Sequence, residues 1–357
     1  MEEPLPAGGS CLLGSINLSE FVVNPFTDKA YFNSMEYLRV IDIAVNGLNE
    51  VLDEGLSLHP LEEQTKTVGE YRQIGLGVMG IADMLVKLGI EYGSQESLDL
   101  CDDLSQMLLN ESVIASSRLA NVLGSYSKFN LKAIQESTMY LKLNDTAKRY
   151  IDNCGLRNSQ LLTIPPTGSI SNLIGTSGGI EPIFNISYTR KTESLHGEDV
   201  YYEVYTPIVK ECMEVLGIYE GCELPNYITN STAMTIDATR RLKMQSVWQK
   251  YIDASISSTV NLPNEATVEN VYDIYMKAWE LGLKGVTIYR DGCNRQAILT
   301  NKDSKVEKDN VVEEEIQSDS QEEEIVHYEI ECPECGETVM ANTGGCYYCL
   351  NCGHGGC

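Results

Sequence analysis

Apolar residues recur at spacings of three and four between positions 34 and 56, at Leu38, Ile41, Val45, Leu48 and Leu52. That stripe predicts an amphipathic helix with Ser34 as its cap, built for packing and not for chemistry. Ahead of it, CLLGSINLSEFVV from Cys11 reads as a core strand with no earlier element to pair against, so a preceding segment is expected to be missing. Residues 73–90, QIGLGVMGIADMLVKLGI, are almost wholly apolar and punctuated by glycine, which close helix packing accounts for. Gly75, Gly77 and Gly80 match a G-x-G-x-x-G fingerprint superficially, but no acidic residue closes a strand about twenty residues on, and dinucleotide binding is set aside. Residues 94–153 keep helical register and predict two or three further helices, with Cys101 and Cys154 as small buried hydrophobes.

Beyond a Tyr-rich stretch at residues 188–205 and a helix near 207–216, the pattern changes to helix followed by short strand, and does so twice. VWQKYIDASISSTVNLP and AWELGLKGVTIYRDG each end in a β-prone run, so TVNLP and GVTIY are expected to be neighbouring core strands of an α/β protein. Residues 301–324 are charged and lack glycine, proline and aromatics, the composition of a solvated tether. The expected organisation is a catalytic region over 1–300, an acidic flexible linker over 301–327 and a cysteine-rich tail over 328–357.

Residues 161–184, LLTIPPTGSISNLIGTSGGIEPIF, carry the backbone chemistry most suited to a charged ligand. An apolar run ends at Pro165-Pro166, and hydroxyls and glycines follow at Thr167, Gly168, Ser169, Ser171, Gly175, Thr176, Ser177, Gly178 and Gly179. Such a turn exposes N–H groups beside a helix start, and a phosphate is its natural guest. No Gly-Lys-Ser/Thr ending follows, which excludes an ordinary P-loop. Apolar runs on both sides place the turn at the end of core strands and not on a linker.

A chain of 357 residues can make about two domains, and its formal charge of −26 argues against sequence-independent nucleic-acid binding, which needs clustered Lys and Arg. No run approaches the roughly 18 apolar residues of a membrane span, and no secretory leader is seen, so a cytoplasmic protein is expected. In that compartment 12 cysteines imply metal or redox chemistry more than structural disulfides. Cys332-x-x-Cys335 and Cys349-x-x-Cys352, separated by thirteen residues and each followed by Gly as a tight metal knuckle requires, have the spacing of a four-cysteine zinc ribbon. Cys346 and Cys357 are left over. They are either carriers of reducing equivalents at the end of the tether, exchanging through a mixed disulfide, or substitute ligands, and His354 competes for the same metal. Spacing alone does not settle that partition.

Taken together, EEPLPAGGSCLLGSINLSEF, IGLGVMGIADMLVKLGI, LRNSQLLTIPPTGSISNLIGTSGGIEP, TVNLPNEATVENVY, AWELGLKGVTIYRDG and the terminal cysteine-rich stretch resemble the large catalytic subunit of ribonucleotide reductases. The adenosylcobalamin-dependent class is the most similar, and the likeness covers nearly the whole chain apart from the acidic tether. The resemblance implies the C-terminal half of a ten-stranded α/β barrel, followed by a disordered linker and a small zinc ribbon. It implies thiyl-radical reduction of a ribonucleoside di- or triphosphate, with cobalamin as cofactor and Zn2+ in the ribbon.

By the same resemblance, Glu2 corresponds to the general base at the ribose 3′ hydroxyl and Cys11 to one thiol of the redox pair. Pro166, Thr167, Gly168, Ser169, Ile170 and Ser171 hold the substrate phosphates; Cys346 and Cys357 re-reduce the pair with electrons from a thioredoxin-like reductant. The family's finger-loop asparagine and radical cysteine, the preceding half of the barrel and the second active-site cysteine have no counterpart in the sequence. A divided or truncated reductase that works with an N-terminal partner fragment is therefore expected. The competing expectation is a non-catalytic remnant, or a zinc-ribbon binding module with a vestigial reductase fold.

Overall fold

The computed structural model describes residues 4–192, 200–219, 221–293, 328–331, 335, 338–341, 347–348 and 355–356. The chain divides into two compact units, Met1–Ser304 and Lys305–Cys357.

In the first unit five extended segments run parallel and in chain order. Strand Leu13–Asn17 pairs with strand Gly75–Met79, Leu13 opposite Gly75 and Asn17 opposite Met79. Leu76 then bridges Leu162 and Ile164 bridges Ile256, so residues 161–164 and 254–257 carry the ladder onward. Strand Thr259–Leu262 pairs with Thr287–Arg290, and the TVNLP and GVTIY runs are neighbours as expected. Parallel neighbours need long crossovers. Helix Ser34–Gly55 lies between the first two segments, Gln95–Leu123 and Asp145–Cys154 precede the third, Ala238–Gln249 precedes the fourth, and Val268–Glu280 precedes the fifth. The result is an α/β layer. Among the described residues it stays open, with no pairing between Leu13–Asn17 and Thr287–Arg290.

Helix Ser34–Gly55 buries Tyr37, Ile41, Val45, Asn49 and Leu52, while Leu38 and Leu48 are half-buried at the edge of the stripe. Its cap is Asn33 and not Ser34. The Asn33 side chain accepts the Glu36 N–H at 3.2 Å, and Ser34 already belongs to the first turn. Gly75 and Gly77 also depart from expectation, because they belong to a strand and not to a helix contact, while Gly80 stands at the cap of helix Ile81–Leu88. Every residue of Gly75–Met79 is buried, and a Cβ on Gly77 would fall 2.1 Å from the Thr163 carbonyl oxygen of the neighbouring segment. A strand covered on both faces loses its alternation, and a uniformly apolar run reads equally well as helix.

Residues 94–153 form two long helices, Gln95–Leu123 and Asp145–Cys154, and two single-turn ones, Leu131–Gln135 and Thr138–Lys142, more pieces than the two or three expected. Cys101 is buried and Cys154 half-buried. The Tyr-rich stretch forms a hairpin of Ser187–Thr192 with Val200–Tyr205. In the second unit, Tyr328–Glu331 pairs antiparallel with Thr338–Ala341, and Tyr347–Tyr348 with Gly355–Gly356. The acidic linker lies outside the described residues. Among those described, no helix is long and apolar enough to cross a membrane.

Candidate functional site

In open α/β layers ligands bind beyond the carboxyl ends of the strands, and here that end is occupied by the turn that follows Ile164. Leu161, Leu162 and Ile164 are buried in the third segment. Pro165-Pro166 stops the ladder because neither residue has an N–H to donate. Thr167 then takes a left-handed backbone, φ 53°, and helix Gly168–Ile174 begins.

Thr167 stands at the cap position but does not cap. Its hydroxyl donates to the Pro166 carbonyl at 2.8 Å and accepts the Gly179 N–H at 2.9 Å. The side chain is thereby turned away from the first-turn N–H groups of Gly168, Ser169 and Ile170, all on exposed residues. A helix start whose own cap is engaged elsewhere keeps donors for an external anion. The turn is closed from behind by Gly178, where a Cβ would meet the Pro166 carbonyl oxygen at 2.6 Å, so only glycine lets the two strands of the turn come this close.

Two buried groups hold the strap of residues 176–181. Asp83, in the first turn of helix Ile81–Leu88, accepts the Ser177 N–H at 2.8 Å, and the Gly80 N–H donates to the Ser177 carbonyl at 2.8 Å. Burial pushes the Asp83 carboxyl up, against the opposing pull of Ser177 and Lys87. At the far end Arg241 is buried and donates to the Ile180 carbonyl at 3.3 Å, the Tyr92 hydroxyl at 2.9 Å, the Thr259 carbonyl at 2.9 Å and the Glu181 carboxylate. Glu181 also accepts the Thr259 N–H at 2.9 Å, tying the strap to the fourth segment. Burial raises the Tyr92 hydroxyl, and the Tyr92 hydroxyl donates to the Ile180 carbonyl at 2.6 Å.

Of the residues singled out in the sequence, Pro166 to Ser171 are brought together as one turn. Cys11 is exposed and stands before Leu13, on the amino side of the layer, whereas the turn leaves from the carboxyl side. The strand register therefore does not bring Cys11 and the turn together. Glu2, Cys332, Cys346, Cys349, Cys352 and Cys357 lie outside the described residues, as does His354. Cys335 is described and exposed. Among the described residues no group of three or more His, Cys, Asp or Glu side chains is assembled for a metal.

Asp83, Glu181, Tyr92 and Arg241 were not expected at the site. A single acid inside the apolar run IADMLV was a signal for Asp83, since a buried carboxyl needs a reason. Arg241 sits in a polar helix segment and gave none.

The family described as ribonucleotide reductase, barrel domain, matches residues 1–289. The chain is similar to a vitamin B12-dependent ribonucleoside-diphosphate reductase of Mycobacterium tuberculosis, 33% identical over 314 residues that cover 84% of this chain and 42% of the relative. It is likewise similar to the enzyme of that description from Thermoplasma acidophilum, 34% identical over 315 residues, 84% of this chain and 38% of the relative. The chain thus spans about two fifths of the length of these curated relatives. Among solved structures, the Actinobacillus ureae class Id ribonucleotide reductase alpha subunit superposes with a TM-score of 0.58 at 20% identity, over 80% of this chain and 50% of that one. That likeness is one of fold.

Proposed function

The chain belongs to the ribonucleotide reductase barrel-domain family, and from that premise we propose that it is the C-terminal part of a reductase that converts ribonucleotides to 2′-deoxyribonucleotides by thiyl-radical chemistry. The observation that carries the reading is the turn at the carboxyl end of the layer, where Thr167 surrenders its capping role and leaves the Gly168, Ser169 and Ile170 donors turned outward. Pro166 to Ser171 hold the di- or triphosphate of the substrate by those N–H groups and by the Ser169 hydroxyl.

The net reaction exchanges the 2′ hydroxyl for hydrogen: ribonucleotide plus a dithiol gives deoxyribonucleotide, a disulfide and water. Cys11, exposed before the first strand, supplies one of the two thiols. Glu2 takes the 3′ hydroxyl proton as general base. Cys346 and Cys357 return electrons from a thioredoxin-like reductant to the pair. Cys332, Cys335, Cys349 and Cys352 would hold Zn2+, which an all-thiolate donor set suits.

The radical cysteine and the first half of a ten-stranded barrel come from sequence that precedes this region in the longer relatives, joined to it or supplied as a separate chain. The open edges of Leu13–Asn17 and Thr287–Arg290 are where that half pairs. Adenosylcobalamin, in line with the relatives described as vitamin B12-dependent, supplies the radical by homolysis when bound. Ile170, Leu173 and Ile174 are exposed next to the turn and would offer such a group an apolar surface. A cytoplasmic location follows from the thiol chemistry.

The test mixes this chain with a polypeptide carrying the preceding half of the barrel, adds adenosylcobalamin and a dithiol, and measures deoxynucleotide from a ribonucleoside diphosphate and triphosphate. Turnover that disappears in Cys11→Ser is the expected result. No turnover with both pieces folded overturns the reading.

A further inference from the structure

We propose that Asp83 is the positioning residue of the phosphate-holding turn: its buried carboxylate fixes the strap of residues 176–179, and the strap in turn holds Thr167 away from the helix start it would otherwise cap. The inference rests on the phosphate reading of residues 166–171 given above and adds a residue that none of the site motifs contains.

Asp83 is 4% exposed and lies between Ala82 and Met84, at 2% and 0%. A carboxylate placed among apolar neighbours is unfavourable unless hydrogen bonds and charge compensate it. The compensation here is specific. The Ser177 N–H reaches Asp83 at 2.8 Å, and the other half of that residue's backbone, its carbonyl, accepts the Gly80 N–H at 2.8 Å. Both backbone polar groups of Ser177 are thus bound to residues 80–83, across a sequence separation of 94 for the Asp83 contact.

The next link is two residues further on, where the Gly179 N–H donates to Thr167 Oγ1 at 2.9 Å. Ser177 and Gly179 are joined through Gly178, which lies against the Pro166 carbonyl with no room for a side chain. Asp83 therefore sets the strap, the strap sets the Thr167 hydroxyl, and the Thr167 hydroxyl decides whether the first-turn donors of Gly168–Ile174 are capped internally or left for a ligand. Asp83 gains further support from its own place in a helix first turn. Lys87, one turn on, faces it and is also within reach of the Ser19 carbonyl at 3.4 Å and of Glu211 at 4.0 Å.

Asp83→Ala and Asp83→Asn are compared with the wild-type full chain, using inorganic pyrophosphate as the probe in calorimetry and amide hydrogen exchange as the structural readout. Asp83→Ala is expected to weaken pyrophosphate binding at least tenfold and to speed exchange at residues 174–182 at least tenfold, with helix Gln95–Leu123 unchanged. Asp83→Asn keeps an oxygen for the Ser177 N–H and is expected to restore both to within threefold. Wild-type affinity in Asp83→Ala overturns the proposal. So does exchange that rises equally in Gln95–Leu123, which marks a general loss of stability, or an Asn variant no better than Ala. A wild-type chain that binds no pyrophosphate overturns the phosphate reading itself; the exchange pattern then still decides whether Asp83 fixes the strap.

Discussion

The two ends of the parallel layer use the same materials in opposite ways. At the amino ends polar side chains close on the strand backbone. Asp253 accepts the N–H groups of Leu161, Leu162 and Ala254 at 2.8, 2.7 and 3.0 Å, and Lys284 donates to the carbonyls of Asp253 and Ala254 at 2.7 Å each. Nearby Asn158 donates to Asn49 and to the Arg72 carbonyl, both at 2.9 Å, and accepts the Ser116 hydroxyl at 2.9 Å. At the carboxyl ends, by contrast, a threonine that stands where a cap belongs is bonded elsewhere, and the helix start behind it faces outward. The first arrangement spends polar groups on fixing strand starts. The second spends them on keeping donors open, which is what a binding end requires and a scaffold end does not.

The most severe way to break the amino end is Asn158→Ala. Asn158 is 1% exposed, and its loss strands partners on Asn49, Ser116 and Arg72 at once. Leaving several buried donors and acceptors unpaired costs about 3 kcal/mol. Urea unfolding should show that loss, while pyrophosphate affinity of the molecules that remain folded stays at the wild-type value. A loss under about 1 kcal/mol would mean that the network is solvated in practice and that the two ends are not so different.

Thr167→Ala breaks the carboxyl end instead, at a smaller cost in stability and a larger one in binding. It removes one hydroxyl, leaves the buried Gly179 N–H without its 2.9 Å acceptor, and lowers stability by about 1 kcal/mol. Pyrophosphate affinity, read by calorimetry, is expected to fall about tenfold, because the strap and the turn are no longer tied together. The crossed result, unchanged affinity with a large loss of stability, would turn this end into scaffold as well.

Which parts of this contrast were legible beforehand follows from how each is encoded. The turn was legible because left-handed backbone and close approach demand Thr, Gly and Ser in a row, and those demands are local. Helix Ser34–Gly55 was legible from its stripe, and the last two strands from β-branched runs bounded by Pro and Gly. Strand Gly75–Met79 was misread because burial on both faces erased its alternation. The pairs that hold the site, Asp83 with Ser177 and Arg241 with Glu181, join residues 94 and 60 positions apart, and no local pattern reports such a match.

Cys11 sharpens the comparison by being the exception at the amino end. It stands before the first strand and is exposed. Cys101, by contrast, is wholly buried and its thiol is pushed up to about 12 by burial, with the indole of Trp248 acting against the shift. Thiolate is the reactive form, and burial denies Cys101 both access and ionisation. Under reducing conditions near pH 8, a thiol probe read by peptide mass spectrometry is expected to label the exposed Cys11 about a hundredfold faster than Cys101, or more. Cys11→Ser is expected to change stability by less than about 0.5 kcal/mol, the range for an exposed side chain. If Cys11 labels as slowly as Cys101, or if its serine variant unfolds as readily as Asn158→Ala, then the thiol belongs to the scaffold, and the amino end has no place at which electrons could enter.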